Sequence, residues 1–515
     1  MKFIRRAEWI WINKEFPKKN SLLSHVSPDL EPAKNLFVYF RKVFFIDKNI
    51  KLSSVYISAD GRYQLFVNGK FVGRGPARCH PLWQYVDLYD VSSYLKKGNN
   101  IIAVLIHSYG QNTSWYELPK RNHLTTFGCG GLFFQGDVEC EGNETIIFDS
   151  NESWKYKISK AWKKDVPFGG TGYVEYFDAT KEPSNWEKVE GDDSNWGQAQ
   201  ILRVSFPMGG NDIIPFPHMV ERDIPLLYEE MYYPQSIIRY GEVENIESLT
   251  VCEQMRKEKI CNLDSCKIIG YENLLEQKGS IQIITTNKNS AVLIFDFGKI
   301  VVGRVRFEVE APIGSIIDIT YSEKLTGNGE IFLPPDVPGV SITPAHRLYL
   351  KEGIQNFEQF EMAGFRYLQF TFRKCVKPLI IKSIGLNFTC YPAERKGYFK
   401  CFDDVLNKIW DAGEYTARVC RQDGFIDCPS REQRQWIGDV YVQSLVSYVV
   451  EKDFRLVRKF LRQVAQTQRS DGITMMATTC DLEANGSVFI PDFCLLWILI
   501  IEKYVLYTGD LNIVK

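Results

Sequence analysis

The chain has no hydrophobic run long enough to cross a bilayer, which takes ~18 apolar residues. Its most apolar stretch, Phe493 to Ile501, is short and reads as a buried helix. The opening residues MKFIRRAEWIWINKEF carry charges but no apolar core of signal-peptide length. No membrane partner is expected. Long basic runs are also missing, and Lys plus Arg (62) almost cancels Asp plus Glu (63), leaving a net charge of −1. A nucleic-acid binder would show a basic face or stripe, so none is expected here. Histidine is scarce: His25, His80, His107, His123, His218 and His346 do not cluster, which argues against a His-based metal centre. The 13 cysteines are odd in number and irregularly spaced. Cys261 and Cys266 lie close together, but no second pair or His follows at zinc-site spacing. Cys428 has no neighbouring His to activate a thiolate. The reading is free, mostly buried thiols, no metal and no cofactor, and a reducing location, the cytoplasm.

What is present points to a large globular chain. Its 515 residues exceed the roughly 250–300 that one hydrophobic core can serve, so about three or four domains are expected. Hydrophobic (45%) and charged (24%) fractions are those of a folded protein and give no sign of disorder. Aromatics reach 14%, with 11 Trp and 26 Tyr. Aromatic rings pack against the C–H faces of sugars, although large β-rich proteins use aromatics in any case.

From about residue 36 to 390 the pattern is that of strands. Phe37–Phe45, Val55–Asp60 and Tyr63–Val67 are β-rich, and Asn68-Gly69 is a strong hairpin signal before Lys70-Phe71-Val72. Ile101–His107 reads as a fully buried strand. Short strands separated by turns predict a β-sandwich or jelly roll. A second β-unit is read from residue 286, where Ala291–Phe295 and Val305–Val309 flank a turn holding Gly298 and Gly303. Ser315–Tyr321 and Arg366–Phe372 continue it. Near residue 400 the period changes to 3.6. Asp403 or a neighbour caps a helix with Val405, Leu406, Ile409, Trp410, Ala412 and Gly413 on its apolar stripe. Ile437–Tyr448, Phe454–Val464 and 491–508 predict three more helices, the last ending at Gly509.

The loop between the first two of these helices concentrates reactive side chains. Asp423 to Asp439 holds Asp423, Asp427, Glu432, Asp439, Arg431, Arg434 and Trp436. A solvated charged loop is the plain alternative. Against it stand the anchoring apolar helices, the Trp, and two Arg placed to keep some carboxylates ionised while a sheltered carboxyl keeps its proton. Two carboxyls in unlike environments are what glycoside hydrolysis requires, one donating a proton and the other activating water or attacking carbon.

Asp427-Cys-Pro-Ser-Arg-Glu-Gln-Arg-Gln-Trp-Ile-Gly-Asp439 resembles the active-site signature of bacterial α-L-rhamnosidases, glycoside hydrolase family 78. Trp9-Ile-Trp11, Asp296–Gly303, His346–Leu350, Gly364–Tyr367 and Tyr507–Asp510 fit the family as well, so the resemblance covers nearly the whole chain. It implies inverting hydrolysis of terminal α-L-rhamnosyl residues from rhamnose-containing glycosides, with Glu432 as the proton donor. Asp427, Arg431, Trp436 and Asp439 fall on rhamnose-binding positions. Asp492 stands at the rim of the pocket or is an ordinary helix cap. The implied fold is multidomain: jelly-roll-like N-terminal β-sandwich domains followed by the first helices of an (α/α)6 six-hairpin barrel. The expected divisions are a carbohydrate-binding-like 1–222, a connecting segment 223–285, a second β-sandwich 286–395 and the barrel start 396–515. Four helices against about twelve, and a general base that the resemblance places beyond Lys515, suggest a fragment with little turnover of its own. A non-catalytic sugar-binding fragment and a split enzyme with a second polypeptide are the alternatives.

Overall fold

The computed structural model describes residues 3–12, 31–118, 128–202, 215–246, 250–272, 279–337, 342–482 and 490–514. The chain divides into two compact units, one of residues 1–164, 181–223 and 479–481, the other of 165–180, 224–478 and 482–515.

The first unit is built from two sheets around one core. Its six-stranded sheet runs in the order Gly197–Gln198, Lys155–Ile158, Leu36–Ile46, Gly98–Ser108, Arg62–Val67, Lys70–Gly75. The seven-stranded sheet runs Gln200–Ile201, Trp9–Trp11, Gly131–Cys140, Ile50–Asp60, Gln84–Asp90, Met219–Glu221, with Thr145–Ile147 beside Gly131–Cys140. Alternation in the sequence decides which side chains turn inward. Val38 and Phe40, Tyr63, Leu65 and Val67, and Ile102, Val104 and Ile106 meet Val55, Ile57, Leu132 and Phe134 in one buried cluster. Burying each such side chain is worth about 1.5–3 kcal/mol. The Asn68-Gly69 hairpin is present as read. Both residues have positive φ, 51° and 78°, the combination a tight hairpin turn demands.

The second unit carries an eleven-stranded sheet whose spine is Asn289–Ala311, a strand of 23 residues. The turn expected around Gly298 and Gly303 is a bulge inside this strand. Its register against Ala363–Arg373 shifts between Asp296 and Val301, and Gly298 takes a φ of 77° that a side chain would resist. Strands also come from the segment with no clear membership: Tyr228–Tyr232 pairs with Leu379–Cys390, and Ser236–Glu244 pairs with Asn289–Ala311. Tyr176–Asp178 joins parallel to Ala345–Tyr349.

One short and four longer helices complete the described part of this unit. Helix α1, Val251–Lys257, starts in a capping box between Thr250 and Glu253. Helix α2, Asp404–Val419, begins where the Asp403 carboxylate accepts the Val405 N–H at 2.8 Å. Helices α3, Ile437–Val450, and α4, Arg455–Gln466, follow, and α5, Pro491–Thr508, ends at Gly509 with φ 71°. The expected apolar stripe of α2 is not the face it buries. Val405, Leu406 and Ile409 are exposed, and Ala417 and Val419 are buried. Periodicity reveals an apolar face but cannot say what covers it. The C-terminal half of α2 is what meets the sheet. The Tyr415 hydroxyl donates to the Ile300 carbonyl at 2.7 Å, the Lys299 ammonium lies 3.9 Å above the Tyr415 ring, and Arg418 covers Phe388 at 5.2 Å.

Candidate active site

The loop between α2 and α3 is pinched at its base. The Asp427 N–H donates to the Arg434 carbonyl at 3.0 Å, and the Arg434 N–H returns a bond to the Asp427 carboxylate at 2.9 Å. These two bonds isolate residues 428–433 as a small excursion that presents Glu432. At its tip the Gln433 N–H reaches back to the Arg431 carbonyl, closing a three-residue turn. Glu432 and Gln433 both sit at positive φ, 50° and 56°. Consecutive left-handed non-glycine residues cost roughly 1–3 kcal/mol each, and such strain persists only where surroundings enforce it. Here the Gln433 side-chain amide donates to the Pro429 carbonyl at 2.7 Å. Below the loop, Pro429 leaves no room above Gly364: a Cβ there would lie 2.4 Å from its backbone. Ser430 donates to Glu323, which follows a sheet strand.

Glu432 is consequently held among polar partners. The Trp436 indole N–H donates to its Oε2 at 3.2 Å. Arg431 and Arg434 each approach within 3.9 Å, Arg434 buried with 3% of its side chain exposed and Arg431 on the outside. The Glu432 side chain is 20% exposed, enough to meet a ligand. Two further carboxyls are sheltered. Burial pushes Asp427 above the usual carboxylate range, and the negative charge of Glu432 adds to this, against bonds from Cys428 and the Arg434 backbone. Asp439, in the first turn of α3, is likewise raised by burial and by the charges of Asp427 and Glu432. Three carboxyls that sense one another therefore share this corner. The Cys428 thiol donates to Asp427 at 2.9 Å, and burial raises it further from ionisation.

Trp436 turns its edge to Phe493 of α5, with ring centroids 6.4 Å apart. Asp492 stands exposed in the first turn of α5, beside that Phe, while the cap position itself is Ile490. The structure thus gathers Asp427, Arg431, Glu432, Trp436 and Asp439 around one excursion and leaves Asp492 at its margin. Sequence reasoning missed what stands behind the loop. Gln435 donates from Nε2 to Gln463 and accepts the Phe425 N–H, both at 3.1 Å. The fully buried Lys459 donates to Gln463 and to the Asp423 carbonyl at 3.1 and 2.6 Å. A Lys and a Gln on the apolar stripe of α4, four residues apart, are the signal that marks this polar support. Among the described residues no group of His, Cys, Asp and Glu is placed to hold a metal ion, and no helix is long and apolar enough to cross a membrane.

Comparison with known proteins bears on this geometry. Residues 48–209 match the α-L-rhamnosidase N-terminal domain, 286–386 the bacterial α-L-rhamnosidase concanavalin-like domain, and 394–515 the bacterial α-L-rhamnosidase 6 hairpin glycosidase domain. An α-L-rhamnosidase of Formosa agariphila is 25% identical over 417 residues, covering 78% of this chain and 37% of that protein. The chain therefore spans well under half the length of this curated relative. A crystal structure of a GH78 rhamnosidase from Bacillus sp. GL1 superposes with a TM-score of 0.77 at 21% identity, covering all of this chain and 68% of that one. The Streptomyces avermitilis α-L-rhamnosidase complexed with L-rhamnose gives 0.62 at 20% identity, over 86% of this chain and 37% of that one. At such identities these two likenesses speak for the fold alone. The matches give no support to a second polypeptide. With rhamnosidase domains matched in order along it, the chain belongs to the bacterial α-L-rhamnosidase family, glycoside hydrolase family 78.

Proposed function

We propose that the chain acts as an α-L-rhamnosidase, releasing terminal α-L-rhamnosyl residues from rhamnose-containing glycosides by single displacement with inversion. The observation that carries this is the presentation of Glu432: a carboxyl lifted on a strained turn, hydrogen-bonded by Trp436, left open to a ligand and set beside the sheltered carboxyls of Asp427 and Asp439. In this reading Glu432 protonates the glycosidic oxygen as the C–O bond breaks. Asp427, Arg431 and Asp439 bind the sugar hydroxyls, Trp436 covers its apolar face, and Asp492 borders the pocket. Inversion needs a second carboxylate about 6.5–9.5 Å from the acid with water between. Asp439 and Asp492 are the first candidates for that role, in place of binding the sugar and bordering the pocket. Helices α2 to α5 are read as the opening of an (α/α)6 barrel, supported by the match of 394–515 to a six-hairpin domain.

The test is hydrolysis of a chromogenic aryl α-L-rhamnoside of poor leaving ability by the purified chain. Turnover is expected, contrary to the sequence-based expectation of a nearly inactive fragment, and Glu432→Gln is expected to lower it about 10²–10⁴-fold, the usual yield of general acid catalysis. Unchanged turnover in that variant would remove Glu432 from the role. A loss confined to Asp439→Asn would transfer the proton to the sheltered carboxyl of α3.

A further inference from the structure

The second unit holds a groove that the chemistry of the loop does not use. It has a volume of about 590 Å³ and is lined by Ile238, Arg239, Tyr240, Asn262, Asp296 and Tyr367, among others. Two irregularities of the sheet border it. The strand Ser236–Glu244 changes register between Ile237 and Arg239, and its partner does so after Asp296. Bulges of this kind re-aim side chains and recur beside binding sites. Here they leave Tyr240 with 45% of its surface exposed, far more than a ring packed in a core. Tyr271 supports it from one side, the ring centroids 4.9 Å apart at 33°. Tyr367 is half-buried in the floor opposite Asp296, with the Arg366 guanidinium 4.9 Å from its centroid.

The charges of the groove are already compensated. Arg366 grips Asp296 with two bonds of 2.8 Å and holds that carboxyl below its usual range, so it stays an ionised acceptor. Arg239 lies 3.5 Å from Glu330 and donates to the carbonyls of Ile260 and Asn328. A charged ligand would find no unmatched counter-charge in these two pairs. What the groove offers is aromatic surface beside amide, carboxylate and guanidinium groups, the mixture that orients a ligand with an apolar face and many hydroxyls.

We propose that this groove is a second saccharide-binding site, taking a neutral sugar unit stacked on Tyr240 and hydrogen-bonded by Asp296, Asn262 and Arg239. It is separate from the loop that carries Glu432. On the strand Ala363–Arg373, Gly364 lies under Pro429 of the loop and Tyr367 enters the groove three residues later, ~10 Å along an extended strand.

Calorimetric titration of the full chain with the neutral disaccharide α-L-rhamnosyl-(1→6)-D-glucose tests this. The titration is made in Trp436→Ala, which disables the loop. Binding is expected to persist there, to weaken at least tenfold when Tyr240→Ala is added, and to be retained with Tyr240→Phe. Tyr240 is exposed, so its truncation opens no core cavity, and matching thermal melts check the fold of every variant. Loss of all binding in Trp436→Ala, or equal binding with and without the Tyr240 ring, would overturn the second site. Glucuronic acid binding more tightly than glucose would overturn its neutral character. Hydrolysis by the otherwise unaltered Tyr240→Ala chain is read separately, so failure of the groove and failure of the Glu432 chemistry give different results.

Discussion

Glu432 owes its position to a backbone conformation that its own residue type disfavours. Positive φ at Glu432 and again at Gln433 is tolerated because Gln433 ties the turn to Pro429 and the Asp427–Arg434 bonds close its base. Replacing Gln433 by Ala removes the tie and is expected to cost about 1–2 kcal/mol of stability and to lower turnover of an aryl rhamnoside by tenfold or more. A Gln433→Ala chain with both quantities unchanged would show that the turn holds itself. Cys428 gives a second check at this scale. Its thiol is half-buried, has the Asp427 carboxylate and the Arg431 carbonyl as alternative acceptors for its one S–H, and is pushed away from ionisation by burial first and by Asp427 second. The thiolate is the reactive form. Exposed Cys261 is therefore expected to be alkylated by iodoacetamide at pH 8 well before Cys428, as read by peptide mass mapping.

Between elements, the decisive contact is the one between sheet and loop. A Cβ at Gly364 would stand 2.4 Å from the Pro429 carbonyl carbon and oxygen, which are backbone and cannot swing away. Gly364→Ala is expected to destabilise by about 1–3 kcal/mol and to displace the Glu432 turn, with turnover falling further than stability alone explains. Wild-type kinetics in that variant would mean that the loop does not rest on the strand. None of this contact was legible beforehand. Sequence pattern revealed the elements whose signals are local: the Asn68-Gly69 turn, the Asp403 cap, the Gly509 stop and the reactive loop itself. It failed where pairing is distant. Ser236–Glu244 finds its partner more than forty residues on, Tyr176–Asp178 finds one near Arg347, and no local signal announces either. The paired glycines that suggested a turn are the bulge of one long strand, because Gly permits both. Likewise, the loop's residue types announced glycosidase chemistry, while the buried Lys459–Gln463–Gln435 support depends on α4 packing behind it.

At the scale of the whole molecule, two buried groups in contact should shape stability against pH. The Glu175 N–H donates to Nδ1 of His346 at 3.0 Å, and Nε2 of that ring lies 3.2 Å from the Tyr321 hydroxyl. The Glu175 carboxyl accepts from the backbone of Phe360 and Glu361. Burial nevertheless dominates and lifts it from 4.5 to about 8, the charge of Glu361 adding to the rise and that of Arg304 opposing it. Burial lowers His346 from 6.5 to about 3. The folded chain thus holds the Glu175 proton between pH 4.5 and 8 where the unfolded chain has lost it, so this group makes stability fall as pH rises through that window. His346 acts in the opposite sense: between pH 3 and 6.5 the unfolded chain takes up a proton that the folded one refuses, so stability falls as pH drops. From pH 4.5 to 6.5 the slopes of these two groups cancel, so their joint contribution is a plateau with a decline on either side. The alkaline decline amounts to roughly 2 kcal/mol from pH 6.5 to 8, at about 1.4 kcal/mol per unit. Glu175→Gln keeps an acceptor for the two N–H groups but removes the titration. Its urea midpoint should hold steady above pH 6.5 while that of the parent chain falls, and parallel curves for the two chains would mean that Glu175 is not the group responsible.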